Sequence, residues 1–579
     1  MSDRALRTST LVSALTFLVA IVVVVPLHPS SVRAANVANP LCPTEIVKFN
    51  PGNGEDIVVP TGFKVSVFRS GLNGPTGIAF LGNARSFQVF VLESGHGLPS
   101  QCNEQGSFPG GTFASNNPFT PDILVFDQNG MPLRGPLGKP TAAGGGFQSA
   151  GPAIDIAFEN GSKGGRLFAT DSNQATHGGG QNNSSRIVIV DPDTGKVTPF
   201  ITGLPTGDHP AEQLAFKDGW IYWSQGSTTN SGVVGRDNNN GLNQQDIPCQ
   251  QIKLSDNVFD SGGGVKTSGY SKFGVTRPGA TVDAFESATG HGICDGAVLR
   301  AKLNSGNPKA TIEPFSWGYR NPYGIRFAPK NHALQGNLFV TENGEDERGA
   351  RPTNNAPDRL QIAKQNPDGS PDYHGWPDRF GFLDSTQAVF NPVGGPGDDN
   401  PAAAVGKPVR PVLKFPPQPI TSPLAIEPAD VAIVGVDFVP KEFAVGVVKK
   451  GAALAGREGD FGFSAGNGTP EAGHDVELVN FSQKNDPVQI QTSVFAHNST
   501  FEQAFPDGIR GINRPTNLRF GPDGCAYLVD YGAVRDFGQS DPATKFITPA
   551  DGPLVQIPGT GVIWRICGPV VGVEPEDDD

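Results

Sequence analysis

Six copies of one hairpin pattern along the chain predict an all-β fold. In each copy a small residue or a proline precedes a short apolar strand, and a second apolar or aromatic strand ends in small or polar residues. A hairpin unit repeated at long, uneven spacing is typical of a β-propeller, whose blades share a template. The copies are Gly74–Ser94, Gly151–Ser172, His209–Ser227, Asn321–Glu342, Val434–Ala465 and Arg514–Asp530. The sequence therefore predicts a six-bladed β-propeller of four-stranded antiparallel blades, with long loops on one rim.

The composition fits one β-rich domain. The 579 residues include 75 Gly, 52 Pro and 37 Phe, with strand-like alternation between the turn residues. A ring of blades can use this length as one domain, because each blade buries its faces against its neighbours. We predict an irregular lead-in at residues 35–60, the propeller at 61–568 and a disordered acidic tail at 569–579. Outer strands are expected near Ile123, Arg186, Ala297, Asp358, Asp475 and Val562.

The first 34 residues have the pattern of a signal peptide. Arg4 and Arg7 precede the apolar stretch Leu11–Leu27, and a small-residue site follows at 32–34. The stretch is shorter than the roughly 20 residues that span a bilayer. We predict a cleaved signal peptide and a secreted or periplasmic protein, with an uncleaved membrane anchor as the alternative. No second apolar run of membrane length follows, so no membrane span is expected in the mature chain.

Six cysteines, an even number, predict three disulfides in an oxidising compartment. Cys525 begins one strand of the last repeat and Cys567 ends a later strand, so we expect this pair first. The sequence has neither a CxxC nor a CxxCH motif. This argues against thioredoxin-like redox chemistry, a zinc knuckle and an attached haem.

The net charge of −13 argues against a nucleic-acid partner, which needs a basic face. An anionic small ligand would have to be held by a few placed arginines. The sequence also lacks GxSxG, HExxH, a P-loop and a GxGxxG that opens a helix, so nicotinamide chemistry is disfavoured.

Four segments resemble the glucose/sorbosone dehydrogenase family. They are 209–235, 317–327 with its RNP element, 339–360 followed by HGWPD at His374, and 514–530. The resemblance covers most of residues 60–567 and implies a six-bladed propeller, since characterised members have that fold. Those members use pyrroloquinoline quinone (PQQ) with calcium, so the resemblance also implies PQQ and Ca²⁺ as cofactors.

The resemblance assigns roles to residues before two of the repeats. His209 matches the histidine that removes the hydroxyl proton as hydride passes to the quinone, and neighbouring Asp208 could orient the ring or raise its pKa. A solvent-facing turn histidine is the alternative. The residues Pro210-Ala211-Glu212, which follow His209, depart from the QSG-like continuation of the glucose enzymes. This departure puts glucose as the substrate in doubt. Arg320 and Asn321 match residues that contact PQQ, and a guanidinium can bind a cofactor carboxylate in bidentate fashion. A structural arginine between blades is the alternative for Arg320.

The resemblance also implies a calcium site at Gly344, Glu345 and Asp358. Carbonyl oxygens of the first two with a nearby carboxylate would form a usual ligand set. A solvated acidic loop is the alternative, because the glucose enzymes carry Gly-Pro where Gly344-Glu345 stand. The remaining PQQ-contacting cations are not identified by spacing; the candidates are Lys449, Lys450, Arg457, Arg514 and Arg519.

Two function hypotheses remain from different classes. The first is an exported PQQ-dependent dehydrogenase that oxidises an aldose or sugar aldehyde and passes electrons to an external acceptor. The second is a non-catalytic propeller that binds a glycan or a protein through its loop face. They differ in whether His209 and Arg320 face the same site.

Overall fold

The computed structural model describes residues 35–39, 42–49, 51–95, 108, 110–173, 183–235, 238, 244–285, 292–346, 349–353, 356–382, 409–459, 472–482, 488–499, 510–536, 554–556 and 558–569. The predicted signal peptide and the predicted tail beyond residue 569 lie outside this range. Within it the secondary structure consists of strands and three short 3-10 helices, Gly161–Lys163, Pro308–Thr311 and Lys441–Phe443. The all-β prediction is confirmed.

Six antiparallel sheets in the described residues have at least four strands each. The first sheet comprises Pro75–Asn83, Ser86–Glu93, Asp122–Asp127 and Pro132–Leu137. The second comprises Ala153–Phe158, Leu167–Asp171, Ser185–Val190 and Val197–Leu204. The third comprises Ala211–Lys217, Trp220–Gln225, Ala297–Lys302 and Glu313–Trp317, with Asp372–Tyr373 added in parallel. The fourth comprises Asn321–Phe327, Leu338–Asn343, Pro357–Ala363 and Ala425–Ala429. The fifth comprises Ile433–Phe438, Ala453–Arg457, Asp475–Phe481 and Ile490–Asn498, with Ile57–Val58 at its edge. The sixth comprises Pro515–Phe520, Ala526–Asp530, Gly561–Cys567 and Lys64–Leu72.

The six sheets are arranged in a ring. The first strand of each sheet contacts the first strand of the next, and the sixth sheet contacts the first. The predicted repeats supply the first two strands of every sheet, as the alternation of apolar residues indicated. Lys64–Leu72 pairs with Gly561–Cys567, so the two ends of the described chain meet in the sixth sheet. The ring is thus closed by strands about 490–500 residues apart in sequence.

The apolar core lies between neighbouring sheets. Six clusters of buried side chains each combine residues of two adjacent sheets. Between the first and second sheets, for example, the rings of Phe90 and Phe158 lie edge to face with centroids 5.3 Å apart. Face-to-face packing of this kind stabilises a ring because every sheet buries both of its faces.

Polar contacts cross the centre of the ring. Asp155 of the second sheet accepts hydrogen bonds from the backbone N–H of Leu214 and from the amide of Asn517, at 3.0 and 3.1 Å. Arg519 of the sixth sheet donates to the Gln213 side chain at 2.9 Å and to the carbonyl of Val436 at 2.9 Å. All of these residues are buried, so the first strands are tied together by satisfied polar groups.

The predicted irregular lead-in contains strands. Ala35–Asn39 and Cys42–Phe49 form a two-stranded antiparallel sheet, and Ile57–Val58 pairs with the last strand of the fifth sheet. The expectation of an irregular segment was therefore wrong for these residues. Ile57 packs its side chain into the cluster between the fifth and sixth sheets, and no repeat pattern marks so short a strand.

The long loops form three small sheets of their own. Within the described part of these loops, Ile252–Leu254 pairs with Thr281–Val282 and Leu413–Phe415, and Phe259–Asp260 pairs with Lys266–Thr267. Val534–Asp536 pairs with Leu554–Gln556. No helix of the described residues is long and apolar enough to cross a membrane.

Two disulfides occur among the described residues. Cys525 is bonded to Cys567, as predicted, and Cys249 to Cys294. The first joins two adjacent strands of the sixth sheet, and the second joins two segments of the long loop of the third sheet. Cys102 lies outside the described residues, so the third predicted disulfide stays a prediction.

Replacing Cys525 and Cys567 together by serine should lower the free energy of unfolding by about 2–4 kcal/mol, because the bond closes a loop of 42 residues. The comparison is made by urea unfolding of parent and variant under oxidising conditions. The same variant should lose less stability than the parent when a reductant is added. Equal stability of the two oxidised proteins would contradict a stabilising role for this bond.

Candidate functional site

One end of the ring gathers the polar residues that precede the first strands. His209 comes two residues before the first strand of the third sheet, Arg320 immediately before that of the fourth, and Arg514 immediately before that of the sixth. The second strands end at the same place, because each is antiparallel to its first strand. Residues that are distant in sequence therefore converge at this end, which we call the site end.

His209 lies between two carboxylates. Its Nε2 is 3.5 Å from Oδ2 of Asp208, and its Nδ1 is 3.5 Å from Oε1 of Glu212. The His209 side chain is 23% exposed, whereas those of Asp208 and Glu212 are buried. The imidazole ring is therefore partly exposed, although its Nε2 is buried, while its carboxylate neighbours lie inside the protein.

Arg320 is joined to His209 through Asp208. Its Nη2 donates to Oδ2 of Asp208 at 3.4 Å and to Oδ2 of Asp346 at 2.5 Å. Its Nε is buried and has no hydrogen-bond partner among the described residues. The structure thus brings together three residues that the sequence assigned to one site, with Asp208 contacting both His209 and Arg320.

Asn321 faces the same group of residues. One atom of its side-chain amide lies 2.7 Å from Oε2 of Glu212, and the other lies 3.3 Å from Nδ1 of His209. The amide therefore contacts both members of the Glu212–His209 pair. Asn321 is buried, as expected for a residue that opens the first strand of the fourth sheet.

Backbone hydrogen bonds fix the position of His209. The N–H of Asp208 donates to the carbonyl of Thr228, and that of His209 to the carbonyl of Ser227, at 2.9 and 3.1 Å. The Ser227 N–H in turn donates to the carbonyl of Arg320 at 2.8 Å. Thr228 is held by Asp295, which follows the disulfide residue Cys294 in the chain. The loop after the second strand of the third sheet therefore fixes the backbone positions of His209 and Arg320 relative to each other.

A buried network supports Arg320 from the fourth sheet. Oε1 of Glu342 accepts the backbone N–H of Arg320 at 2.9 Å and Nη1 of Arg359 at 3.0 Å. Gln361 donates to Oε2 of Glu342, and its own amide oxygen lies 2.8 Å from Nδ1 of His374. His374 belongs to the HGWPD segment. This segment therefore reaches Arg320 only indirectly, through Gln361 and Glu342.

The residues predicted for calcium are engaged by protein donors. Oδ1 of Asp358 accepts the N–H of Gly344 at 2.8 Å, and Oδ2 accepts the N–H of Ile433 at 2.9 Å. Oε2 of Glu345 accepts Nη2 of Arg359 at 2.8 Å. Burial raises the pKa of Asp358 to about 6 and that of Glu345 to about 7. Oε1 of Glu345, by contrast, is buried and has no hydrogen-bond partner among the described residues. The calcium site, which relies mainly on the carbonyls of Gly344 and Glu345, stays a prediction.

No metal-binding cluster of His, Cys, Asp or Glu was found in the part of the chain that the structure describes. The alternative expectation for the calcium segment was a solvated acidic loop. It is wrong for Glu345 and Asp358, because both side chains are buried. Their hydrogen bonds tie the end of the fourth sheet to the start of the fifth.

Among the five unplaced cations, Arg514 lies at the site end. It is buried, and its Nη1 donates to the carbonyl of Gly459 at 3.3 Å. Of the other four, Lys449 and Lys450 are exposed, Arg457 ends the second strand of the fifth sheet and is held by Asp475, and Arg519 lies inside the ring. The sequence did contain a signal for Arg514. Like His209 and Arg320, it is a basic residue that lies one or two positions before a proline at the start of a repeat.

Two buried glutamates make the site end acidic. Burial raises the pKa of Glu212 well above its usual 4.5, Glu458 and Asp208 raise it further, and Arg320 acts in the opposite direction. Burial likewise raises the pKa of Glu458 to about 7, with Arg514 opposing the shift. Guanidinium and carboxyl groups therefore alternate at this end, and burial favours the neutral form of both glutamates.

Three functional candidates were missed by the sequence analysis: Glu212, Asp346 and Glu458. Glu212 stands three residues after His209, where side chains of a strand alternate between faces, so sequence spacing did not indicate a contact. Asp346 and Glu458 come from other sheets. Only ring closure shows that they are close to Arg320 and Glu212.

No family model matches the chain, and no curated protein matches it significantly. Similar solved structures include a glucose dehydrogenase, with 13% identity, a TM-score of 0.45 and coverage of 87% of this chain and 99% of that chain. Another is the PQQ domain of pyranose dehydrogenase from Coprinopsis cinerea, in its holo form, with 14% identity, a TM-score of 0.45 and coverage of 88% and 97%. A third is the PQQ-bound form of aldose sugar dehydrogenase from Streptomyces coelicolor, with 14% identity, a TM-score of 0.42 and coverage of 88% and 100%.

These structures belong to the class of sugar dehydrogenases that the sequence motifs resemble. The likeness is too distant to carry conclusions about substrate or cofactor, which depend on the residues at the site end.

Proposed function

We propose that the chain is an exported oxidoreductase that oxidises an aldose or sugar aldehyde with PQQ at the site end of a six-bladed propeller. The observation that carries the proposal is the contact of Asp208 with both His209 and Arg320. A group able to accept a proton and a group able to bind an anionic or carbonyl oxygen are thereby placed within one constellation. Oxidation of a hydroxyl needs these two functions side by side.

The site end carries donors of the kind that bind an anionic quinone. Arg320 keeps a buried N–H without a partner among the described residues, and Arg514 supplies a second guanidinium at the same end. Guanidinium groups bind carboxylates and carbonyl oxygens through directed N–H donors. Asn321 adds an amide. Arg320, Asn321 and Arg514 are therefore the residues that would hold PQQ.

The chain's own residues would perform the proton chemistry. His209 would accept the hydroxyl proton of the sugar, while Asp208 would orient the ring and balance Arg320. PQQ, when bound, supplies the acceptor for the hydride. The calcium site at Gly344, Glu345 and Asp358 stays a prediction, and no step is assigned to calcium.

The remaining expectations complete the proposal. Residues 1–34 would be a cleaved signal peptide, 61–568 the propeller and 569–579 a tail, and the electrons would leave to a separate acceptor. The Asp208 contact favours the dehydrogenase over the glycan- or protein-binding alternative, because a binding surface has no need of a buried acid beside an imidazole.

The test is reconstitution of the purified protein with PQQ, followed by dye reduction across a series of aldoses. We expect binding of PQQ and reduction of the dye, and we expect Arg320→Ala to weaken PQQ binding by about 1.5–3 kcal/mol, or about 10- to 150-fold. Calorimetry measures the affinity at a temperature where circular dichroism shows both proteins folded.

Lys450→Ala is the matched control, since this exposed cation lies away from the site end. It should bind PQQ as the parent does. Equal affinity of the parent and Arg320→Ala would place the cofactor anchor elsewhere. Glycan binding without any dye reduction would favour the non-catalytic alternative.

A further inference from the structure

The two carboxylates beside His209 have different surroundings. Asp208 shares its Oδ2 between Nε2 of His209 and Nη2 of Arg320, so it already balances a permanent cation. Glu212 has no such guanidinium contact: the nearest groups in the described residues are Nδ1 of His209 and the amide of Asn321. The imidazole is thus the only titratable donor shown within 3.5 Å of the Glu212 carboxylate.

Glu212 is also confined. Its side chain is 1% exposed and lies in the first strand of the third sheet, so water cannot solvate its charge. An ionised carboxylate in such a place is costly unless a neighbour supplies a proton or a positive charge. His209 is the neighbour that can do so, because an imidazole gains or loses a proton near neutral pH.

We propose that Glu212 is a positioning residue that shares one proton with Nδ1 of His209 and thereby sets the pH at which His209 can accept a proton from a substrate. The inference rests on the proposed function for its catalytic meaning, but the shared proton is a property of the chain itself. Asn321 completes the arrangement, since its amide contacts both Glu212 and Nδ1 of His209.

The surrounding charges determine the direction of the effect. Arg320 favours ionised Glu212, whereas Asp208 and Glu458 disfavour it, and Tyr323 faces the same carboxyl. With the pair sharing a proton, His209 stays protonated to higher pH than it would alone, because an adjacent carboxylate stabilises the imidazolium. Removing the Glu212 charge should therefore release His209 as a proton acceptor at lower pH.

The experiment is a titration of the His209 ring by NMR in the full chain without added PQQ. Isotope-labelled histidine gives one signal for each of the chain's histidines, and His209→Asn identifies the signal that disappears. The pH is varied from about 5 to about 9 around the ordinary histidine range. We expect the His209 midpoint to fall by about 1–3 pH units in Glu212→Gln, the usual effect of removing a neighbouring charge.

Glu477→Gln is the matched control. Glu477 is also a buried carboxyl with a raised pKa, about 9, but it lies in the third strand of the fifth sheet among Glu427 and Arg457. It should leave the His209 midpoint unchanged. Glu212→Asp, which keeps the charge but shortens the side chain, should give an intermediate midpoint and serves if Glu212→Gln fails to fold.

The outcomes separate this inference from the proposed function. A His209 midpoint that is the same in the parent, Glu212→Gln and Glu212→Asp would overturn the shared proton, even if the enzyme oxidises sugars. A lowered midpoint together with no PQQ binding and no dye reduction would retain the pair and reject the dehydrogenase. In an active enzyme, the acid limb of the kcat/KM profile should shift to lower pH in Glu212→Gln by the same amount as the NMR midpoint.

Discussion

Replacing His209 by asparagine should lower the turnover of the PQQ-loaded protein by about 10²–10⁴-fold, the usual contribution of a general base. Asparagine keeps a polar side chain between Asp208 and Glu212 but cannot accept a proton near neutral pH. The affinity for PQQ should change little, because Arg320, Asn321 and Arg514 are the proposed anchors. Single-turnover dye reduction and calorimetry on the same preparation measure the two quantities separately.

His497→Asn provides the control for this experiment. His497 lies in the last strand of the fifth sheet and its Nδ1 contacts a backbone carbonyl, so it has no place in the site. The variant should retain the parent's turnover. If His209→Asn also keeps the full rate over the whole pH range, the proton acceptor is another group and the proposed role of His209 is rejected.

Replacing Arg320 by methionine should lower the free energy of unfolding by about 3–5 kcal/mol at pH 7, the usual cost of removing one partner of a buried ion pair. The guanidinium is 5% exposed and contacts both Asp208 and Asp346. Methionine fills similar space but removes the guanidinium from these carboxylates. Urea unfolding of the parent and the variant at pH 7 measures the difference.

Arg565→Met is the comparison for stability. Arg565 pairs with Asp523 at 2.6 Å, but its side chain is 35% exposed, so the variant should lose no more than about 1 kcal/mol. Equal losses of unfolding free energy in the two variants would show that the Arg320 ion pairs contribute no more than an exposed surface pair. They would also weaken the argument that the site depends on a buried guanidinium.

Much of the fold could be predicted because it depends on local patterns. Apolar alternation with turn residues located both strands of all six hairpins, and the strand positions of Cys525 and Cys567 indicated their disulfide. Alternation and turn chemistry act over a few residues, so they are readable without a structure. The short strand Ile57–Val58 could not be predicted in the same way, because it pairs with a strand about 440 residues later.

The candidate site was predictable only in part. The RNP element and the Asp208-His209 pair marked residues that do lie together, since each immediately precedes a repeated hairpin. The assignment of Gly344, Glu345 and Asp358 to calcium relied on the family resemblance. In the structure the two carboxyls accept hydrogen bonds from Arg359 and from backbone N–H groups. A carboxylate's availability depends on which donors surround it, and the sequence does not give those donors.

The sequence by itself determined that the chain forms repeated antiparallel hairpins and that a histidine and an arginine precede two of them. The tertiary structure alone decided which carboxylates these two residues meet. Asp208 lies 112 residues before Arg320, and Glu458 belongs to a different sheet from Glu212, yet ring closure brings their charges together. Electrostatic interactions depend on distance in space and on exclusion of water, and both are set only when the six sheets pack against one another.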